Sequence, residues 1–194
     1  MSFLRRFSSV LVFCAAAATL AGCMPKNDAV SLTYALDGAS VIPDHTAPRV
    51  VVAKFEDRRG RTDIGVRRDG TALSPASDVA EWVSQSLADA LARTGLQVSV
   101  APSLEQAQVG RPDAVVTGVV ERAWLAEQSI GTCQAAVRIQ TTLHRDLQAD
   151  MTRNFSSQQE RKGIPGQKLI EETLASTLGD AAANAAETIA SVLR

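Results

Sequence analysis

Two long stretches around one short break constrain this chain most. Residues 113–127, "DAVVTGVVERAWLAE", and residues 132–146, "TCQAAVRIQTTLHRD", flank the turn-like "QSIGT". The first begins apolar on both faces, as a central strand does. The second alternates. Cys133, Ala135, Val137, Ile139 and Leu143 share one face, and Gln134, Arg138, Gln140 and His144 share the other. That pattern predicts a long hairpin with one buried face and one polar face. A polar run, "MTRNFSSQQERKG", follows it and reads as an edge strand, where charge discourages stray pairing.

Upstream, "RVVVAKF" at 49–55 is β-branched and predicts a buried strand. Residues 57–73 form a charged loop, with a hairpin as the alternative, and carry a turn signal at "RDG". Ser74 or Ser77 is expected to start a helix, with Pro75, Asp78 and Glu81 suited to its first turn. Val79, Trp82, Val83, Leu87, Ala90 and Leu91 give that helix one apolar face, and Gly95 ends it. "LQVSV" is a further strand. Pro165-Gly166 opens a last helix, whose stripe runs from Ile170 to Val192. The expected fold is α+β: a single mixed, mostly antiparallel sheet with two amphipathic helices packed on one face.

The N-terminus carries a different message. "MSFLRR" precedes an uncharged apolar stretch that ends at Leu20-Ala21-Gly22-Cys23. A basic head, a short apolar core and small residues make a secretory signal. The apolar stretch, at about 14–16 residues, falls short of the roughly 20 that span a bilayer. The motif at 20–23 resembles the lipobox of bacterial lipoproteins. That resemblance implies cleavage between Gly22 and Cys23, a diacylglyceryl thioether on Cys23 and acylation of the new amino terminus. Several chains hold a protein to a bilayer stably where one does not. Met24 follows the cysteine; in the Gram-negative sorting pattern this implies the outer membrane, facing the periplasm. The expected organisation is a signal at 1–22, a lipidated tether at 23–47 and a periplasmic domain at 48–194. "AVSLTYAL", within that tether, alternates weakly and could add a short strand.

Without residues 1–22 the chain keeps 18 basic and 21 acidic residues, a net charge of −3. No basic surplus recruits nucleic acid. With Cys23 lipidated, Cys133 is the one thiol left, so no internal disulfide forms and the fold must rest on its core.

"RVVVAKFEDRRGRTDIG", an amphipathic helix and then "PDAVVTGVVERAW" together resemble the YajG-type family of small periplasmic lipoproteins. The elements that match are Val50–Phe55, Asp57-Arg58, Ile64-Gly65 and the strand containing Gly118. More distantly the order of elements is similar to the N-terminal domain of TolB and to envelope lipoproteins related to CsgG and LpoB. The resemblance implies an envelope setting and protein contact rather than catalysis. It leaves room for a subunit of a secretion or cell-wall-synthase-regulating complex.

Candidate chemistry is sparse. Arg58, Arg59, Arg61, Arg67 and Arg68 crowd one loop, where guanidinium forks could take phosphate or carboxylate. Glu56, Asp57, Asp63 and Asp69 nearly balance them, so a solvated, self-paired loop is the competing expectation. Trp124 is the aromatic residue best placed for a partner contact. Trp82 reads as core and Cys133 as a buried, inert thiol. His45 and His144 read as solvated, and no set of metal ligands has workable spacing. No cofactor is expected beyond the covalent lipid, and no catalytic residue; the competing reading is a hydrolase or transferase acting on cell-wall or lipid substrates. The expected partners are the membrane and envelope proteins.

Overall fold

The computed structural model describes residues 27–34 and 45–194; the expected signal at 1–22 and Cys23 lie outside the described residues. Nine strands form one curled sheet: β1 (Asn27–Val30), β2 (Arg49–Ala53), β3 (Glu56–Asp57), β4 (Gly65–Val66), β5 (Ala72–Pro75), β6 (Gln97–Ala101), β7 (Ala114–Ser129), β8 (Thr132–His144) and β9 (Met151–Lys162). Three helices accompany them: α1 (Val79–Arg93), α2 (Leu104–Ala107) and α3 (Gln167–Leu193).

β7 is the spine. Along one side it pairs with β8, antiparallel, over almost its whole length. Its other side is shared in succession by β2, β3 and β4, all parallel to it. β6 then adds to β2, and β5 and β1 extend outward from β4. β9 completes the far edge beside β8. Five of these eight pairings are parallel, so the sheet is mixed rather than mostly antiparallel as expected from sequence. The reason lies in β2–β4. These three pieces are one chain segment that tracks β7 in the same direction, and each piece is too short to leave a periodic signature.

The interruption between β2 and β3 has a local cause. The Phe55 N–H leaves the ladder and donates to Ser84 Oγ on α1 at 2.9 Å, while that hydroxyl donates to the Ala80 carbonyl at 2.7 Å. Both groups are buried, so each must find a partner. Phe55 turns its ring beneath β7, where Gly118 makes room. A Cβ at Gly118 would lie 2.3 Å from that ring, so this strand glycine marks a close approach.

α1 starts later than the serines suggested. Asp78 is its N-cap and accepts from the Glu81 N–H at 3.1 Å, whereas Ser74 and Pro75 belong to β5. Gly95, with φ of 89°, follows its last turn. α1 and α3 lie on the same face of the sheet and pack on each other. Between them and the sheet are Val52, Leu87, Leu125, Ile139, Leu174 and Ile189, all essentially without solvent contact. Ala181, Ala185 and Ala186 let α3 come close. The expected pair of helices on one face is thus incomplete. Short α2 sits on the opposite face, where Ala107 packs with Ala53, Ala101 and Val115 in a small second cluster.

Asn27–Val30 join the sheet although they fall in the stretch expected as tether. Val30 is fully buried, and the Trp82 indole N–H donates to the Thr33 carbonyl at 2.7 Å. β1 runs antiparallel to β7, with Asn27 opposite Ala72 and so in the cross-sheet row of Val66 and Ala126. The chain therefore comes into the domain beside the tip of the β7–β8 hairpin.

Candidate functional site

The two long helices cover one face of the β7–β8–β9 hairpin system. Its other face carries no long helix and is lined by alternate, mostly polar residues, as the β8 pattern predicts. The five arginines of the charged loop divide between two places on the molecule.

Arg58 stays on the rim, exposed, and pairs with Glu56 at 2.5 Å. Arg59 is the opposite case. Its side chain is 6 % exposed and grips Asp57 with two parallel bonds, Nε–Oδ1 at 2.9 Å and Nη2–Oδ2 at 2.8 Å. It also donates to the Asp63 carbonyl at 3.2 Å. This bidentate pair closes the loop over the sheet, and it holds the Asp57 carboxyl below its ordinary range, chiefly through the Arg59 side-chain bond. Arg61 pairs loosely with Asp63 at 3.2 Å and lies over the Trp124 ring at 4.3 Å from its centroid, a cation–π stack.

Arg67 and Arg68 lie elsewhere, in the β4–β5 turn. Arg67 bonds Asp28, donates to Gln167 Oε1 at 3.3 Å and sits 3.8 Å from Glu127. It therefore fastens β1, β7 and α3 together. Arg68 is exposed.

Beside the Arg61–Trp124 stack is a feature that the loop alone could not reveal. Glu121 is the extra residue of a bulge in β7, and after it Arg122 pairs directly with Arg138 of β8. Like charges facing each other across a sheet are destabilising. Both arginines are exposed, and neither side chain makes a hydrogen bond or ion pair among the described residues. Arg59, Arg61, Trp124, Arg122, Arg138 and Glu121 line one depression of about 410 Å³. With Arg59 and Arg61 balanced by Asp57 and Asp63, its charge is that of two arginines and one glutamate, a net of +1. The arrangement offers two guanidinium groups beside an aromatic ring in one depression, chemistry suited to a carboxylate or a phosphate.

The remaining candidates fall into place around this face. Trp82 is 4 % exposed and is core. Cys133 is 1 % exposed, faces the helices and has its thiol pushed up by burial and then by Glu127. His144 is on the open face but is not simply solvated. Its Nε2 lies 2.9 Å from Thr117 Oγ1 and its Nδ1 2.9 Å from Asp150 Oδ2. That hydroxyl–imidazole–carboxylate chain was invisible in sequence, because Thr117 and Asp150 meet His144 only through the β7–β8–β9 pairing. No group of three or more metal-ligating side chains is gathered among the described residues. No helix among them is long and apolar enough to cross a membrane.

No family model matches the chain, and no curated protein matches it in sequence. Solved structures do. A Xanthomonas campestris protein of the DUF330 family is 15 % identical, with a TM-score of 0.59; the likeness covers 85 % of this chain and 97 % of that one. An uncharacterised protein, also 15 % identical, has a TM-score of 0.52 over 84 % of this chain and 99 % of that one. A minor lipoprotein of Acinetobacter baumannii is 9 % identical with a TM-score of 0.41, covering 74 % and 93 %. The first two show that the fold occurs elsewhere at full domain length.

Proposed function

We propose that this protein is a lipid-anchored periplasmic binding protein of the outer membrane, an accessory factor in envelope assembly or maintenance that works by contact rather than catalysis. The anchor is Cys23, exposed by cleavage after Gly22, and the resemblance to YajG-type lipoproteins supports an envelope setting for the domain. The recognition surface is the open face of β7–β9. The observation that carries this reading is the facing pair Arg122 and Arg138 beside the Arg61–Trp124 stack. A fold that keeps two unpaired like charges opposite each other gives up stability, and an acidic group on a partner would recover it. Tethering raises the local concentration of such a partner's site, as a linker does.

The test is in-cell photocrosslinking from position 136 or 140, next to Arg138 on the same face. The expected result is a discrete adduct with an envelope protein, lost when Arg61, Arg122 and Arg138 are all changed to alanine in a domain that still unfolds cooperatively. Adducts that survive the triple change would move recognition elsewhere on the molecule. Separately, Cys23→Ser should shift the protein from the membrane to the soluble fraction or leave it uncleaved.

One observation favours a second reading, hydrolysis of cell-wall or lipid esters. Thr117, His144 and Asp150 stand in the order of an activated nucleophile, its base and the group that orients the base. A fluorophosphonate that labels Thr117 in the wild type but not in His144→Ala would establish it; an unlabelled Thr117 would end it.

A further inference from the structure

One end of the sheet carries two large apolar side chains in full view of solvent. Ile130 is 71 % exposed at the tip of the β7–β8 hairpin, and Ile164 is 90 % exposed just past the end of β9. Both lie at this one end of the sheet. The register that pairs Thr132 with Lys162 continues through a Gly163 N–H bond to the Gly131 carbonyl at 2.9 Å, which sets the hairpin tip at 130–131 against the segment 163–165. The approach is close: a Cβ on Gly131, already at φ of 74°, would lie 2.5 Å from the Gly163 carbonyl oxygen. Pro165 follows, and the β4–β5 turn with Arg68 projects from the same end. Lys162 and Lys168, both largely exposed, flank the isoleucines in loose pairs at 3.8 and 3.7 Å. The opposite end of the sheet also exposes apolar side chains, Leu147 in the β8–β9 loop and Val109 ahead of β7, so exposure alone does not single out the isoleucine end.

The chain's own path says what lies against the isoleucine end. β1 begins at Asn27 in the row of Ala126, three residues short of the hairpin end of β7. It is held there by Arg67 on Asp28 and by the Gln167 amide, which donates to the Ala29 carbonyl at 2.8 Å. Cys23 is four residues earlier. Four residues reach at most about 14 Å when fully extended. Acyl chains on Cys23 would thus hold this end of the domain, and no other, within about 14 Å of the headgroups by that same covalent reach. Two exposed isoleucines at the end that also carries Lys162, Lys168 and Arg68, the lysines loosely paired with Glu160 and Glu172, suit the boundary between headgroups and hydrocarbon.

We infer that the tip formed by Ile130 and Ile164 docks into the bilayer to which Cys23 anchors the chain, so that the domain has one fixed orientation on the membrane. The inference rests on the lipid-anchor reading. It adds a second, non-covalent contact and a defined end.

The experiment uses the full-length, processed protein in vesicles of phosphatidylethanolamine and phosphatidylglycerol. Single nitroxide labels are placed through Ile130→Cys, Ile164→Cys and Leu147→Cys; buried Cys133 remains unlabelled. Power saturation with oxygen and with a water-soluble nickel chelate then reports depth. Labels at 130 and 164 should favour oxygen, and the label at 147 should favour the nickel chelate. In the same samples, mass spectrometry of the N-terminal peptide reports acylation of Cys23. An acylated peptide with all three labels equally open to the nickel chelate would sink the docking inference and leave the anchor standing. An unacylated peptide would overturn both.

Discussion

At the scale of single residues, charge and function pull against each other at Arg138. Changing it to glutamate turns a repulsive cross-strand pair with Arg122 into an attractive one, which should raise stability by about 0.2–1 kcal/mol. The same change should abolish capture of an acidic partner. Urea denaturation and crosslinking, run on one preparation, read the two effects, and a variant that loses stability would show that Arg138 has a structural partner instead. Acid behaviour is also set by individual carboxylates. Lys54 pairs with Asp78 at 2.5 Å and, chiefly through that bond, holds the α1 cap below its ordinary range, as Arg59 does for Asp57. A carboxylate whose folded pKa is depressed contributes stability above its unfolded pKa and loses it as pH falls through the folded one. Urea midpoints should therefore hold steady, as far as these groups are concerned, down to about pH 4, near the free carboxylate value, and then drop. Asp78→Asn keeps the capping oxygen but not the charge, so its drop below that pH should be shallower.

At the scale of elements, β1 is the strand with most depending on few contacts. It is four residues long and, among the described residues, pairs only with β5. Arg67, reaching Asp28, Glu127 and Gln167 together, is the clasp that secures it to the body of the domain. Arg67→Ala should free β1 while leaving β7–β9 and the helices intact. Limited proteolysis would then cut around residues 30–34 several times faster than in the wild type, with little change in the far-ultraviolet spectrum. Equal cutting rates would mean that the burial of Val30 alone is enough. What sequence could show divides at this level. β8 was legible because thirteen residues alternate without a break. β3 and β4 were not, since two residues carry no period and their partner is a distant strand. Arg61 and Trp124 were both readable as candidates, but not as a stack. Arg122 was overlooked because the bulge at Glu121 moves it to the outer face, and only the pairing puts it opposite Arg138.

At the scale of the whole molecule, the parallel run of β2, β3 and β4 along one side of β7 leaves the β7–β9 hairpins free on their outer face while both long helices gather on the inner one. α3, at 27 residues, is about 40 Å long and runs from the isoleucine end to the opposite end, where the Arg194 guanidinium donates to the Thr94 carbonyl at 2.8 Å. The isoleucine end and the end at Thr94 are therefore about one long helix apart along the strand direction.

That axis acts as a ruler. Arg138 is six residues along β8 from Thr132 at the hairpin tip, and at about 3.3 Å per residue this sets the arginine pair about 20 Å above the isoleucines. With that end docked on a bilayer as inferred above, lipid headgroups of the supporting leaflet would not extend that far. A group that met the paired guanidinium groups would then have to come down from the aqueous space above, on a body of its own.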